Sequence, residues 1–308
     1  MIDNKTPTAL LDDNTEILKA LVHEVKRVAD ALALYTAPVS TVSFVDAPAY
    51  YWQHVDVNGR NTGYLKPIHS PNLIAFEELK NIDAQLEVVR RNTERFVGGF
   101  PSNNILLTGA RGTGKSSLVK ACLNAFAAQG LRMIEIDKEH LVDLPAITEM
   151  IAKRPEKFII FCDDLTFEAG ESGYKRLKTA LDGSLSGQSQ NLLIYATSNR
   201  RHILPEQASD NVYAKNSDGE LHPGDAIEEK ISLSERFGIW LHFYGFSQDE
   251  YLNAVAVWLA KFGFSKQQIK DAEKESILWA RTRGAISGRI ASQFAKDYAG
   301  RSAEQNAK

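Results

Sequence analysis

Nine consecutive residues, Gly109-Ala110-Arg111-Gly112-Thr113-Gly114-Lys115-Ser116-Ser117, have the types and spacing needed to hold a polyphosphate. The pattern G-x-x-x-x-G-K-[ST] runs from Gly109 to Ser116 and is a complete P-loop. Glycines allow unusual backbone angles and a close approach, so main-chain N–H groups can converge on the anion. A helix starting there adds the partial positive charge of its N-terminus. Lys115 is then the residue for the β- and γ-phosphates, and the Ser116 hydroxyl is a ligand for Mg²⁺. The flanks agree: Ile105-Leu106-Leu107 reads as a buried strand. Leu118, Val119, Cys122, Leu123 and Phe126 recur at helical spacing up to Gly130.

A second apolar run, Phe158-Ile159-Ile160-Phe161-Cys162, ends in two carboxylates, Asp163 and Asp164. Ligands of an open parallel sheet bind at the carboxyl ends of its strands. There Asp163 is expected to hold Mg²⁺ through its water shell, opposite Ser116, and Asp164 to polarise an attacking water. A third run, Leu192 to Thr197, leads into Ser198-Asn199-Arg200. The Asn199 amide can hydrogen-bond both a γ-phosphate oxygen and the lytic water. Asn is also a common turn residue.

Five strands are expected to position these groups: Asn104–Thr108, Arg132–Ile136, Phe158–Cys162, Leu192–Thr197 and Ile239–Phe243. Strands alternating with helices argue for a parallel sheet. One helix is predicted from near Asp143 to Pro155, and a long polar loop from Leu204 to Asp225. Ahead of this core, a helix from about Asn14 to Leu34 starts at the capping-box pair Asp13 and Glu16. Its Leu18, Leu21, Val25, Val28 and Leu32 form one narrow seam, suited to packing on the chain's own core or to a subunit contact. Pro38, Pro48 and Pro67 then punctuate a stretch bearing Phe44, Tyr50, Tyr51, Trp52 and Tyr64, expected to form a minor core or to touch a ligand's edge. The last sixty residues read as helices only: Gln248–Phe262, Lys266–Arg281 and Ser287–Ala299, split by Gly263 and Gly284.

Composition narrows the class. The chain has 308 residues, 44% hydrophobic, enough for a sizeable core and for two domains or one with attachments. Net charge is −3, which leaves no global footprint for nucleic acid. Residues 261–308 carry 10 Lys/Arg against 5 Asp/Glu, a surplus of +5 suited to phosphates, an acidic partner or a solvated helical face. Cys122 and Cys162 read as buried free thiols. No apolar run reaches membrane-spanning length and no signal pattern opens the chain, so a cytoplasmic setting and no membrane contact are expected.

The P-loop, the Asp163-Asp164 pair, the strand ending Ala196-Thr197-Ser198-Asn199, and Ser232-Leu233-Ser234-Glu235-Arg236-Phe237-Gly238 together resemble the ordered signatures of AAA+ ATPases. More closely, the chain is similar to a bacterial family of uncharacterised predicted AAA+ ATPases, through Asn103–Lys120, Ile134–Leu144, Phe161–Leu165, Tyr195–Pro205 and Ser232–Trp240. The likeness extends from about Gly63 to Phe294. It implies an α/β P-loop NTPase fold, with a three-layer αβα core and a parallel five-stranded sheet over 76–246. A small all-α lid over 247–308 and an N-terminal helical or irregular extension over 1–75 complete it. The resemblance makes Asn199 the sensor-1 residue and Arg236 an arginine finger acting in trans on a neighbouring subunit of a homo-oligomer. It makes Arg289, within Gly288-Arg289-Ile290-Ala291, the sensor-2 arginine, and sets Asn81-Ile82-Asp83 against the adenine, with Asn81 replacing a frequent glycine. The ligands implied are ATP or ADP with Mg²⁺, and the activity is ATP hydrolysis coupled to motion on an unknown macromolecule, protein or nucleic acid. The alternative is a nucleotide-gated loader or switch with little hydrolysis, acting on DNA or on a replication or transposition factor. One departure stands out: Asp164 occupies a position where the common AAA+ pattern has the longer Glu, which points to slow turnover. No acceptor-binding motif of a small-molecule kinase is present.

Overall fold

Parallel strands need crossover connections, usually helices, and the alternation of strands and helices along this chain supplies them. The computed structural model describes residues 18–28, 44, 46–57, 60–166, 177–179, 181, 190–199, 214–215, 221–222 and 235–306. The chain divides into two units: Met1–Val42 with Trp52–Lys66, and Ser43–Tyr51 with Pro67–Lys308.

In the first unit residues 18–28 are helical (α1). Leu18, Leu21, Val25 and Val28 of the seam are each about 60% exposed; Leu32, Asp13 and Glu16 lie outside the described residues. The unit also holds most of β1 (Ala49–Val57) and β2 (Arg60–Ile68), neighbours in the strand order. The Pro-punctuated stretch thus contains two strands beyond the five expected. Pro48 precedes β1, and Pro67 falls in an edge strand, where a missing N–H is tolerated. Its aromatics alternate as strand residues do: Tyr50 and Trp52 are fully buried.

In the second unit all five expected strands form: β3 (Ile105–Gly109), β4 (Leu131–Glu135), β5 (Lys157–Cys162), β6 (Leu192–Ser198) and, after the short antiparallel pair β7 (Ala214–Lys215) and β8 (Leu221–His222), β9 (Ile239–Phe243). The order is β1-β4-β5-β6-β3-β9, and every adjacent pair is parallel. Apart from β7 and β8, the Leu204–Asp225 loop lies outside the described residues. Packed on the sheet are α2 (Asp83–Val97) and α3 (Lys115–Phe126), whose Val89, Phe96, Leu118 and Cys122 join Ile105, Leu107 and Tyr195 in one buried cluster. The helix expected from Asp143 is the shorter α4 (Leu144–Ile151), preceded by a 3-10 turn over Lys138–Asp143. Both cysteines are free and buried.

Three helices follow: α5 (Gln248–Lys261), α6 (Lys266–Thr282) and α7 (Gly288–Asn306). Ser247 with Glu250 and Ser265 with Gln268 form complete capping boxes, which fix where α5 and α6 begin. The three bury their own cluster around Tyr251, Val255, Leu259 and Phe294. This is the α/β P-loop core with a C-terminal helical region that the AAA+ resemblance implies.

Candidate functional site

Strand register assembles the site. Thr108 of β3 pairs with Ser198 of β6, and Ala196 of β6 pairs with Cys162 of β5. The residues that follow those positions, the P-loop, Asn199 and Asp163-Asp164, therefore leave the sheet side by side. Gly109 has φ 127°, and a Cβ there would come within 2.0 Å of the Phe243 carbonyl oxygen on β9, so only glycine lets the loop leave the sheet here. Gly112 has φ 75° and lies against Ser287 and Arg289, leaving no room for a side chain between the loop and the start of α7.

These segments line a cavity of about 820 Å³ that takes in the loop from Arg111 to Ser117, both carboxylates, Asn199, Ile82 and Arg289. Inside it Lys115 is 5% exposed, and its ammonium donates to Gly109 O (2.8 Å), Ala110 O (2.7 Å) and Asn199 Oδ1 (3.1 Å). Burial pushes this ammonium down to about 8. Asp163 and Asp164 oppose that shift, while the positive charges of Arg289 and Arg111 add to it. The cavity thus concentrates cationic groups whose charge an incoming polyanion would relieve. Thr113 braces the loop by donating to Ala110 O at 2.8 Å.

Around the carboxylates the hydrogen bonds are directional. Ser116 Oγ donates to Asp163 Oδ1 at 2.6 Å, and Thr197 Oγ1 donates to the same oxygen at 2.5 Å. Asn199 Nδ2 donates to Asp164 Oδ1 at 2.6 Å. Asp164 has φ 53°, a left-handed conformation uncommon outside glycine. Hard oxygen donors from Ser116 and Asp163, converging beside a phosphate loop, fit Mg²⁺, which takes one or two protein oxygens and completes its shell with water and phosphate. Among the described residues no group of three or more His, Cys, Asp or Glu side chains could hold a metal ion by itself.

Of the residues singled out in the sequence, Arg111 to Ser117, Asp163, Asp164, Asn199, Ile82 and Arg289 line this one cavity. Asn81, standing where a glycine is frequent, has φ 65°, and its Nδ2 donates to Glu250 O of α5 at 2.8 Å. Asn tolerates that region best among residues with a side chain. Arg236 does not line the cavity. It lies three residues before Ile239, which pairs with Ile105, the first residue of β3, while Gly238 abuts Asn103. Arg236 therefore sits at the amino end of the strands and the P-loop at their carboxyl end. Sequence reasoning missed Thr197, Trp258, Lys261 and Lys296, which is on α7 and, like Trp258, lines the cavity. For Thr197 a signal existed: it is a polar residue at the carboxyl end of the apolar strand that leads into Asn199. Of the resemblance-bearing segments, residues 200–205 and 232–234 lie outside the described residues.

Comparison with solved structures returns a variant of Thermotoga maritima RuvB (16% identity, 70% of this chain and 60% of that one, TM-score 0.48). It also returns the FIGL-1 AAA domain in complex with ADP (16% identity, 74% of each chain, TM-score 0.47). A chain of the HORMA:CdnC:Trip13 complex of E. coli MS115-1 matches as well (12% identity, 72% of this chain and 89% of that one, TM-score 0.46). The chain spans about three-fifths of the RuvB structure. No curated protein sequence matches. Among the described residues no helix is long and apolar enough to cross a membrane. A family model described as "Protein of unknown function (DUF815)" matches residues 45–302, most of the length. With that model covering more than four-fifths of its length, the chain belongs to the DUF815 family.

Proposed function

We propose that this protein binds ATP with Mg²⁺ in the cavity and hydrolyses it, using the reaction to move its helical region within a homo-oligomer that acts on a macromolecule. One observation supports this above the rest: Lys115, Ser116, Asp163, Asp164, Asn199 and Arg289 converge on a single cavity from four separate stretches of chain. Loop amides and Lys115 hold the β- and γ-phosphates once the ammonium exchanges its carbonyl partners for phosphate oxygens. Bound Mg²⁺ would screen the phosphates and sharpen the electrophilicity of the γ-phosphorus. Asp164 accepts a proton from the water that attacks that phosphorus in line; the bond to the β–γ bridging oxygen breaks, leaving ADP and inorganic phosphate. Asn199, already bonded to Lys115 and Asp164, orients that water, and Arg289 reaches the γ-phosphate from α7. Arg236, at the opposite end of the strands, serves the nucleotide of a neighbouring subunit. Calorimetric titration with ATP and Mg²⁺ tests binding, and phosphate release at increasing protein concentration tests turnover. No heat of binding on folded protein would overturn the proposal.

A second reading, a nucleotide-gated loader or switch, rests on Asp164. Its carboxylate is one methylene shorter than Glu, and Asn199 holds it in a left-handed turn. Uptake of ATP without phosphate release, with or without single-stranded DNA, would favour it.

A further inference from the structure

The hydroxyl of Thr197 touches both carboxylate residues of the site at once. Thr197 is the penultimate residue of β6 and is 2% exposed. A hydroxyl has one proton and two lone pairs, and a carboxylate only accepts, so the direction of each bond is determined. Thr197 Oγ1 donates to Asp163 Oδ1 at 2.5 Å and accepts the main-chain N–H of Asp164 at 3.0 Å. The Thr197 carbonyl accepts the N–H of Leu165 at 2.7 Å, so one residue ties down three consecutive positions after β5.

Ser116 supplies the other bond to Asp163 Oδ1. A serine hydroxyl that coordinates a cation does so through a lone pair and keeps its proton, so Ser116 can still donate to Asp163 when the ion is bound. Thr197, buried at the end of β6, supplies the second bond to the same carboxylate oxygen. We infer that Thr197 is a positioning residue, resting on the proposed nucleotide site. It aims the Asp163 carboxylate at the magnesium position and holds the turn that presents Asp164.

The test compares ATP affinity in excess Mg²⁺ with affinity in EDTA, by titration of the full-length protein, for wild type, Thr197→Val and Thr197→Ser. Thr197→Val is expected to lose about tenfold or more of the affinity that Mg²⁺ adds, the scale of one charge-assisted hydrogen bond, with little change in EDTA. Thr197→Ser keeps the hydroxyl and is expected to retain the magnesium increment. Equal losses in both conditions would show a merely structural role and overturn the inference, as would an unchanged increment in Thr197→Val. Should Thr197→Val not fold, Thr197→Ala carries the same comparison. Wild-type protein that binds no ATP in either condition would instead sink the proposed function itself.

Discussion

Asp164 and Asn199 share a hydrogen bond, but the duties proposed for them are separable. Asp164→Asn retains the shape and removes the base, so ATP binding is expected to persist while kcat falls by about 10²–10⁴, measured as phosphate release beside a binding titration. Equal loss of affinity and turnover would assign Asp164 to binding instead. Cys122 offers a different kind of check. Burial pushes its thiol from 9.0 up to about 12, and the Thr93 hydroxyl is 3.5 Å from its sulfur. Between those values the unfolded chain has given up a proton that the folded chain retains. Stability should therefore fall as pH rises above 9, by about 1.4 kcal/mol per unit for a single such group. Denaturation of wild type and Cys122→Ala from pH 8 to 10.5 should show the shallower slope in the variant.

The helical region meets the core through polar contacts. Lys261, the last residue of α5, pairs with Glu78 at 2.7 Å and lies 5.2 Å over the Trp258 ring, and Asn81 reaches Glu250 O. Lys261 is half exposed, so the pair with Glu78 contributes only about 0.2–1 kcal/mol. Such a clasp can open and close. Of the four tryptophans only Trp258 lines the cavity. Addition of ATP should change intrinsic fluorescence, and Trp258→Phe should abolish that change while leaving binding measurable by calorimetry. A signal that survives in Trp258→Phe would mean that the ring senses no ligand. Elsewhere, α2 is tied to the sheet by Asn92 and Thr93, which meet the Tyr195 hydroxyl at 3.1 and 2.8 Å in the buried interior.

For the proposed homo-oligomer, the informative residue is Arg236. Its place at the amino end of the strands predicts that no chain completes its own site. Arg236→Ala should bind ATP normally yet lose about 10³–10⁵ in turnover, the range of an arginine supplied in trans. Mixing Arg236→Ala with Asp164→Asn should restore part of the activity, because one variant supplies the base and the other the arginine. A mixture no more active than its components would exclude that division of labour.

The P-loop, the Asp pair and all five core strands were legible because each is written locally: a glycine spacing, an apolar run, a polar residue at its end. The capping serines that start α5 and α6 are equally local. β1 and β2 were hidden by Pro48 and Pro67, which read as breakers; Pro48 stands just outside β1, and Pro67 falls in the edge strand β2. Thr197 was visible as a strand residue, but its bonds to Asp163 and Asp164 depend on the pairing of β6 with β5, a contact between segments some thirty residues apart. The same holds for Gly112 against Ser287 and for Arg236 at the far end of the strands. Short-range spacing encodes which groups are present; only the register of the sheet and the docking of α7 decide which of them meet, since those distances arise from packing of residues remote in the chain.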